Sequence, residues 1–227
     1  MTEDTPKAKN EARSTRPSSE EFKAFIASGW TEPDDVVTTA SAAAPYAAER
    51  RARLSKRFPG VRIVAPAGDY KVRSNDTDYR FRPASDFAYL TGLGADFEPG
   101  AVLVMDPLAN GGHETTLYVI PPAGSGDEGY YADPRSGEFW IGRRPGPAEF
   151  EAMTGIPTKP LSELPTSVRM RNQPTAPVRR ALSEMRMVKD EYEIQQLRDA
   201  VAATIAGFER VVRELPRAVD HKRGERV

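Results

Sequence analysis

The most restrictive feature of the sequence is an apolar stripe near its C-terminal end. The stripe follows Asp190 and Glu193, which have the spacing of a helix capping box, and Pro216 predicts where the helix ends. Its members recur at steps of three and four residues: Ile194, Leu197, Val201, Ile205, Phe208, Val212 and Leu215. This spacing predicts a helix of about 25 residues with one apolar face. Such a helix needs another surface to cover that face.

Upstream of this helix, strand patterns alternate with helical ones. A helix is predicted from Pro45 to Arg57 and a strand from Val61 to Ala65. Two further strands, Ala101–Met105 and Thr115–Ile120, are separated by a loop rich in turn residues, which predicts a hairpin. The mixture predicts an α/β fold with a mixed β-sheet flanked by helices.

The remaining segments suggest a division into three parts. We predict a disordered arm and a short helix over 1–30, an α/β domain over 31–178, and a linker with the long helix over 179–227. Within the central part, Pro147–Met153 begins like a helix. Residues 156–177 carry five prolines and are interpreted as a connection with at most one helical turn.

Composition excludes several classes of function. Lys plus Arg number 32 and Asp plus Glu 33, so the net charge of −1 favours neither a nucleic acid nor an anionic membrane as partner. The absence of cysteine excludes disulfides, thiolate zinc sites and cysteine nucleophiles. No apolar run approaches the roughly 18 residues of a membrane span, and the first residues lack the apolar core of a signal peptide. We therefore predict a soluble cytoplasmic protein.

The residues alone indicate no active site. The two histidines, His113 in the predicted hairpin loop and His221 in the charged tail, are too isolated to form a metal cluster. The acidic residues Asp76, Asp78 and Asp86 could bind a cation or act as acid and base. Because arginines are interleaved with them, a loop held by salt bridges is the preferred interpretation.

One basic helix face could contact phosphates. It consists of Arg50, Arg51, Arg53, Lys56 and Arg57. With a net charge near zero and no aromatic platform for stacking bases, we interpret it as a solvent-exposed face.

Three motifs, in order along the chain, resemble one known family. The segment from Arg73 to Gly92 resembles the signature of the aminopeptidase P N-terminal domain, R-N-x-D-x-x-Y-x-Y-R-x-x-S-D-F-x-Y-x-T-G. As part of the same motif, the strand Ala101–Met105 matches the A-V-L-V strand that follows the signature. The segment Phe139–Arg144 looks like the family's W-x-G-R turn. Finally, Met185–Arg198 is similar to its M-R-x-x-K-x-x-x-E-I-x-x-L-R entry into a catalytic domain.

The resemblance implies a fold and an activity. It implies an N-terminal domain like that of creatinase and prolidase, followed by the start of a truncated pita-bread domain. Family members remove the N-terminal residue that precedes proline, using two manganese ions held by two Asp, one His and two Glu downstream of the last helix. None of these ligands is recognised here, so no catalytic or metal residue is assigned. The chain is expected to be an inactive N-terminal fragment of a Xaa-Pro metallo-aminopeptidase.

The resemblance also implies a candidate site and partners. In the family, the N-terminal domain takes part in oligomer contacts and narrows the active-site entrance, so the chain is expected to form a homo-oligomer. Arg82, Asp86 and Tyr89 are therefore the candidates for a substrate-entrance or inter-subunit role, at a predicted loop-to-strand junction. The simpler alternative is that Asp86 caps a turn and Tyr89 packs in the core. Ala88 departs from members that carry a tryptophan there.

The sequence also allows a second hypothesis about function. The expected partners of the full enzyme are peptides with proline at the second position, not nucleic acid or a membrane. Alternatively, the chain is a stand-alone, non-catalytic module that binds peptides or proteins. A self-sufficient module should not expose the apolar stripe after Asp190, so the stripe favours the fragment.

Overall fold

A computed structural model describes residues 19–31, 38–75, 77–95, 97, 99–134, 136–169 and 174–220. The helices within these ranges are α1 (Glu20–Ile26), α2 (Ala44–Arg57), α3 (Ser85–Thr91), α4 (Gly129–Ala132), α5 (Glu138–Ile141), α6 (Pro147–Thr154), α7 (Thr166–Arg169), α8 (Ala176–Met187) and α9 (Glu191–Asp220), with a 3-10 turn at Leu161–Glu163. The strands are β1 (Ile63–Pro66), β2 (Val72–Ser74), β3 (Thr77–Asp78), β4 (Val102–Pro107), β5 (His113–Val119) and β6 (Thr158–Pro160). The predicted disordered arm and His221 lie outside the described residues.

The central sheet has four strands in the order β1-β4-β5-β6. Strand β4 pairs antiparallel with β1 and with β5, and Leu103 lies opposite Leu117 in the hairpin. Strand β6 joins the other side of β5 in parallel. The strands β2 and β3 form a separate two-stranded ribbon. The predicted α/β class with a mixed sheet flanked by helices is confirmed.

Side chains that alternate along β4 and β5 build a core on each side of the sheet. Leu103 and Leu117 point to the larger cluster, which also includes Leu54 of α2, Leu90 of α3 and Leu182 of α8. The opposite face carries a smaller cluster: Val64, Val104, Tyr118, Leu164 and Val168. Side chains of a strand alternate between the two faces of the sheet, so the same pairing of β4 with β5 supplies residues to both clusters.

Several boundaries differ from the predicted ones. The hairpin strands extend further toward the turn, so His113 is the first residue of β5 and does not belong to the loop. Strand β6 was missed inside the proline-rich connection, because three residues carry too little pattern to reveal a strand. The last helix continues through Pro216 to Asp220. A proline removes one backbone hydrogen bond, and near the end of so long a helix this does not stop it.

The segment Phe87–Leu90 forms a helix, so the predicted loop-to-strand junction is wrong. Within α3, Phe87, Leu90 and Thr91 are buried at helical spacing, and Gly92 ends the helix in the left-handed conformation at φ 76°. Short apolar runs do not distinguish a strand from one face of a short helix. Here the packing of α3 against α2 and α8 decides for the helix.

Helix α9 begins as predicted but is largely uncovered. The amide of Glu193 donates to Asp190 Oδ1 at 3.0 Å and the amide of Asp190 donates to Glu193 Oε2 at 3.2 Å, which confirms the capping box. Beyond Ile194 nearly every described residue of the helix is exposed, including Phe208 and Val212 of the apolar stripe. None of the described helices combines the length and the apolar character that a membrane crossing requires.

Candidate functional site

The candidate residues gather around helix α3, which lies between α2 and α8. The last carbonyl groups of a helix have no partner within the helix, and cationic side chains are suited to bind them. Two arginines of α2 do so here. Arg50 Nη1 donates to the carbonyl oxygen of Tyr89 at 3.1 Å, and Arg51 Nη1 donates to that of Leu90 at 2.7 Å.

These two arginines correct the interpretation of the basic face. Arg50 is 4% and Arg51 9% exposed, so that part of α2 is buried and not solvated. Burial lowers the pKa of Arg51 to about 10. The sequence does contain a signal for this burial. Arg50 and Arg51 follow Ala47 and precede Leu54 at the spacing of one buried helix face.

Tyr89 is buried and contacts two neighbouring elements. Its hydroxyl donates to the carbonyl oxygen of Met185 in α8 at 3.3 Å. The guanidinium carbon of Arg50 lies 4.5 Å from the centre of its ring, within the range of a cation–π contact. Burial raises the pKa of the Tyr89 phenol. Tyr89 therefore packs in the core, at the interface between α2, α3 and α8.

Asp86 forms an ion pair with Arg186 of α8. This partner lies 100 residues further along the chain and is not one of the arginines interleaved with the acidic residues. Asp86 lies in the first turn of α3, whose N-cap position is occupied by Ala84. Asp76, the first residue of the predicted acidic cluster, lies outside the described residues.

A groove of about 380 Å³ runs beside α3 and joins two of the three candidates. Its lining includes Arg82, Ala88, Tyr89, Arg186 and Tyr192. Arg82 is exposed, and Asp86 lies beside the groove through its ion pair with Arg186. Ala88, the position at which the sequence departs from the family pattern, is therefore part of the groove.

His113 is engaged in structural hydrogen bonds. Its Nε2 lies 2.8 Å from the carbonyl oxygen of Val61, and its Nδ1 lies 2.7 Å from the hydroxyl of Ser55. A carbonyl can only accept, so in the neutral ring Nε2–H donates to Val61 and Nδ1 accepts from Ser55. Among the residues that the structure describes, no group of three or more His, Asp or Glu side chains is placed to hold a metal ion.

The sequence profile of the family described as "Aminopeptidase P, N-terminal domain" matches residues 47–177. The chain belongs to this family. The matched range contains the signature segment, the Phe139–Arg144 turn and the whole four-stranded sheet, so the resemblance to the family is confirmed. The motif Met185–Arg198 lies beyond the matched range.

Curated relatives carry the name of a peptidase. Xaa-Pro aminopeptidase 1 of Streptomyces coelicolor is 40% identical over 225 residues, covering 88% of this chain and 44% of the relative. Xaa-Pro aminopeptidase 2 of the same organism is 37% identical over 223 residues, covering 88% of this chain and 47% of the relative. The chain therefore spans less than half the length of these relatives.

Solved structures of the family overlap with part of the chain. Aminopeptidase P from E. coli in its low pH form has a TM-score of 0.42 at 27% identity, covering 52% of this chain and 24% of that one. Proline aminopeptidase P II from Yersinia pestis has the same TM-score of 0.42 at 27% identity and the same coverages of 52% and 24%.

Proposed function

We propose that this chain is the N-terminal, non-catalytic part of a Xaa-Pro aminopeptidase. The complete enzyme would remove the N-terminal residue from peptides whose second residue is proline. The observation that carries the proposal is the family match over residues 47–177, together with two named Xaa-Pro aminopeptidases that align with nearly all of this chain. Cytoplasmic location is part of the proposal.

The metal chemistry of the enzyme would come from residues outside the described ones. The resemblance implies two manganese ions, which need a cluster of carboxylate and imidazole ligands. The described residues do not fit such a centre. They contain no suitable group of three ligands, and both ring nitrogens of His113 already contact Ser55 and Val61. No step of the reaction is assigned to this chain.

Arg82, Asp86 and Tyr89 are proposed to serve the entrance or a contact between subunits. The support is the groove beside α3, which brings Arg82 and Tyr89 together and is open to solvent at Arg82. The groove is also lined by Tyr192 of α9, which belongs to the motif Met185–Arg198 that resembles the family's entry into a catalytic domain. Homo-oligomer formation through the N-terminal domain belongs to the same proposal.

A peptidase assay tests the proposed function. The chain alone and the polypeptide continued downstream in its reading frame are incubated with manganese and a tripeptide whose second residue is proline. We expect release of the first residue by the longer polypeptide only. A tripeptide with alanine at the second position is the matched control and should remain intact.

Two results would contradict the proposal. One is hydrolysis of the proline tripeptide by the chain alone, which would place an active site among its own residues. The other is an inactive longer polypeptide that lacks the two Asp, one His and two Glu expected of the family. The second result would favour the stand-alone binding module.

A further inference from the structure

We propose that Arg50 is a positioning residue that fixes the direction in which helix α9 leaves the rest of the fold. It does so by joining the end of α3 to the start of α9 through one buried guanidinium group. The extension to a whole enzyme, in which α9 would set the position of a catalytic domain, rests on the proposed function. The local claim about α9 does not.

The guanidinium group of Arg50 contacts both helix ends at once. On one side it donates to the Tyr89 carbonyl and lies over the Tyr89 ring. On the other side Nε donates to Asp190 Oδ2 at 2.7 Å. Its Nη2 lies 2.6 Å from the same oxygen and 3.5 Å from Glu193 Oε2, as a charge contact outside hydrogen-bond geometry.

The two carboxylates are themselves fixed to the start of α9. Asp190 and Glu193 form the capping box, so their positions follow the first turn of the helix. A charge contact to these carboxylates therefore constrains the orientation of the first turn of α9. A mobile surface side chain would not transmit direction in this way.

Little else holds α9 in place within the described structure. Met187, the last residue of α8, and Val188, in the connector to α9, are 78% and 75% exposed and so contribute little packing. Beyond Ile194 the helix is exposed almost throughout. The one additional ring contact joins Tyr46 and Tyr192 at 5.6 Å, and Tyr46 lies one helical turn before Arg50 on α2.

Because the Arg50 side chain is buried, a change in the direction of α9 would cost free energy. The Arg50 side chain is 5% exposed, and a buried charge is costly unless it remains paired. If α9 swung away, the guanidinium group would lose both carboxylates and keep only the carbonyl and ring of Tyr89. Arginine suits this role better than lysine, because its planar fork can bind several acceptors in fixed directions.

The test measures the direction of α9 with spin labels. The chain has no cysteine, so Lys56→Cys and Glu209→Cys introduce labels only at these exposed sites on α2 and α9. The distance distribution between the labels is compared with and without Arg50→Met. We expect a broader distribution in the variant, with unchanged helix content. We also expect amides at the start of α9 to exchange about fivefold faster, because the capping carboxylate of Asp190 loses its hydrogen bond from Arg50.

Arg57→Met is the matched control. Arg57 lies on the same helix and its Nη2 is 3.2 Å from Glu184 on α8, but both side chains are about half exposed. Exposed pairs of this kind contribute little, so the distance distribution should stay as in the parent chain. Equal distributions for Arg50→Met, Arg57→Met and the parent would overturn the proposal.

A second variant decides the matter if Arg50→Met does not fold. Asp190→Asn combined with Glu193→Gln keeps side chains able to cap α9 and removes both charges that Arg50 binds. Broadening is expected, and an unchanged distribution would overturn the proposal. Failure of the proposed function is distinguishable, because an inactive longer polypeptide leaves these distances as they are.

Discussion

Tyr89 contributes to the fold through its ring, its hydroxyl and its backbone carbonyl. The ring and the carbonyl face Arg50, and the hydroxyl faces the carbonyl of Met185. Arg50→Met would disturb two of these contacts, so the residues behave as a unit and their effects should not add. Tyr89 is thus a core residue whose contacts extend to the candidate groove.

Substitutions of Tyr89 should separate its ring from its hydroxyl. Tyr89→Ala removes a ring that is 5% exposed and should lower the free energy of unfolding by about 3–5 kcal/mol. Tyr89→Phe keeps the ring over Arg50 and should cost about 1 kcal/mol, the value of one modest hydrogen bond. Urea denaturation measures both. Equal losses for the two variants would show that the hydroxyl, and not the packing, carries the stabilisation.

Glu149 is a second residue with a defined electrostatic role. Its pKa lies below the ordinary value of 4.5, chiefly because the backbone amide of Gly146 donates to the carboxylate, with Arg143 as a further cause. The two donor distances are 2.8 Å from Gly146 N and 3.0 Å from Arg143 Nη2. Since the folded state favours the ionised form, this contribution is present above the ordinary pKa and is lost as the pH falls through the lowered one.

Glu149→Gln should therefore destabilise the protein in a pH-dependent way. At pH 7 we expect a loss of about 0.3–1 kcal/mol, because glutamine can still accept from the Gly146 amide but lacks the negative charge that favours the start of α6. The difference from the parent should shrink as the pH falls below about 4.5. Thermal unfolding at several pH values measures it. Glu209→Gln, at an exposed position of α9, serves as the control and should show no such trend.

At the scale of elements, α3 is short, and its packing against α2 depends on the residue that ends it. Gly92 adopts φ 76°, and a Cβ atom added there would lie 2.8 Å from the Cβ of Ala43. Two costs therefore apply to any other residue: the left-handed backbone conformation and a close contact with the start of α2. The glycine of the signature keeps α2 and α3 close together.

Two glycine substitutions separate these costs. Gly155 ends α6 at φ 67°, and a Cβ atom added there meets nothing within 4 Å. Gly155→Ala should thus cost about 1 kcal/mol from backbone strain alone. Gly92→Ala should cost clearly more, because Ala43 must move as well. Chemical denaturation compares the two, and equal losses would mean that the contact with Ala43 relaxes freely.

At the scale of the whole molecule, the exposed stripe of α9 is the largest departure from a self-contained fold. Leu197, Val201, Ile205 and Phe208 are all more than half exposed. Apolar patches of this kind promote association when nothing covers them. The separate chain is therefore expected to associate as its concentration rises.

Charges on the stripe should prevent that association. Val201→Glu combined with Phe208→Glu places two carboxylates on the apolar face and should shift sedimentation toward the monomer. Ala203→Glu combined with Ala206→Glu adds the same charge on the opposite face of the helix and is the control. If both pairs shift sedimentation equally, the effect comes from net charge and not from the stripe.

Much of the fold could be read from local patterns. The helix at Ala44–Arg57, the hairpin and the capping box at Asp190 were all predicted within a few residues, because each has a repeat or a cap written into a short stretch. Strand β6 and helix α3 were not predicted correctly. Both are short, and their form depends on the sheet and helices against which they pack.

The candidate site was predictable only in part. The motif located Arg82, Asp86 and Tyr89, yet neither the partner of Asp86 nor the groove beside α3 could be derived from it. The sequence places Arg50 on a solvent-exposed face, because the net charge near zero and the absence of an aromatic platform disfavour a phosphate contact. The burial of Arg50 depends on carboxylates that lie 140 residues further along the chain.

The sequence by itself determined the family, the class of fold and the amphipathic character of α9. These follow from motifs and periodicities that are local to the chain. The tertiary structure alone decided that α3 is a helix and that Asp86 pairs with Arg186. It also decided that one guanidinium group joins α3 to the first turn of α9. Such contacts join residues that are distant in sequence. A buried charge needs a partner, and the packing of the surrounding helices determines which partner is within reach.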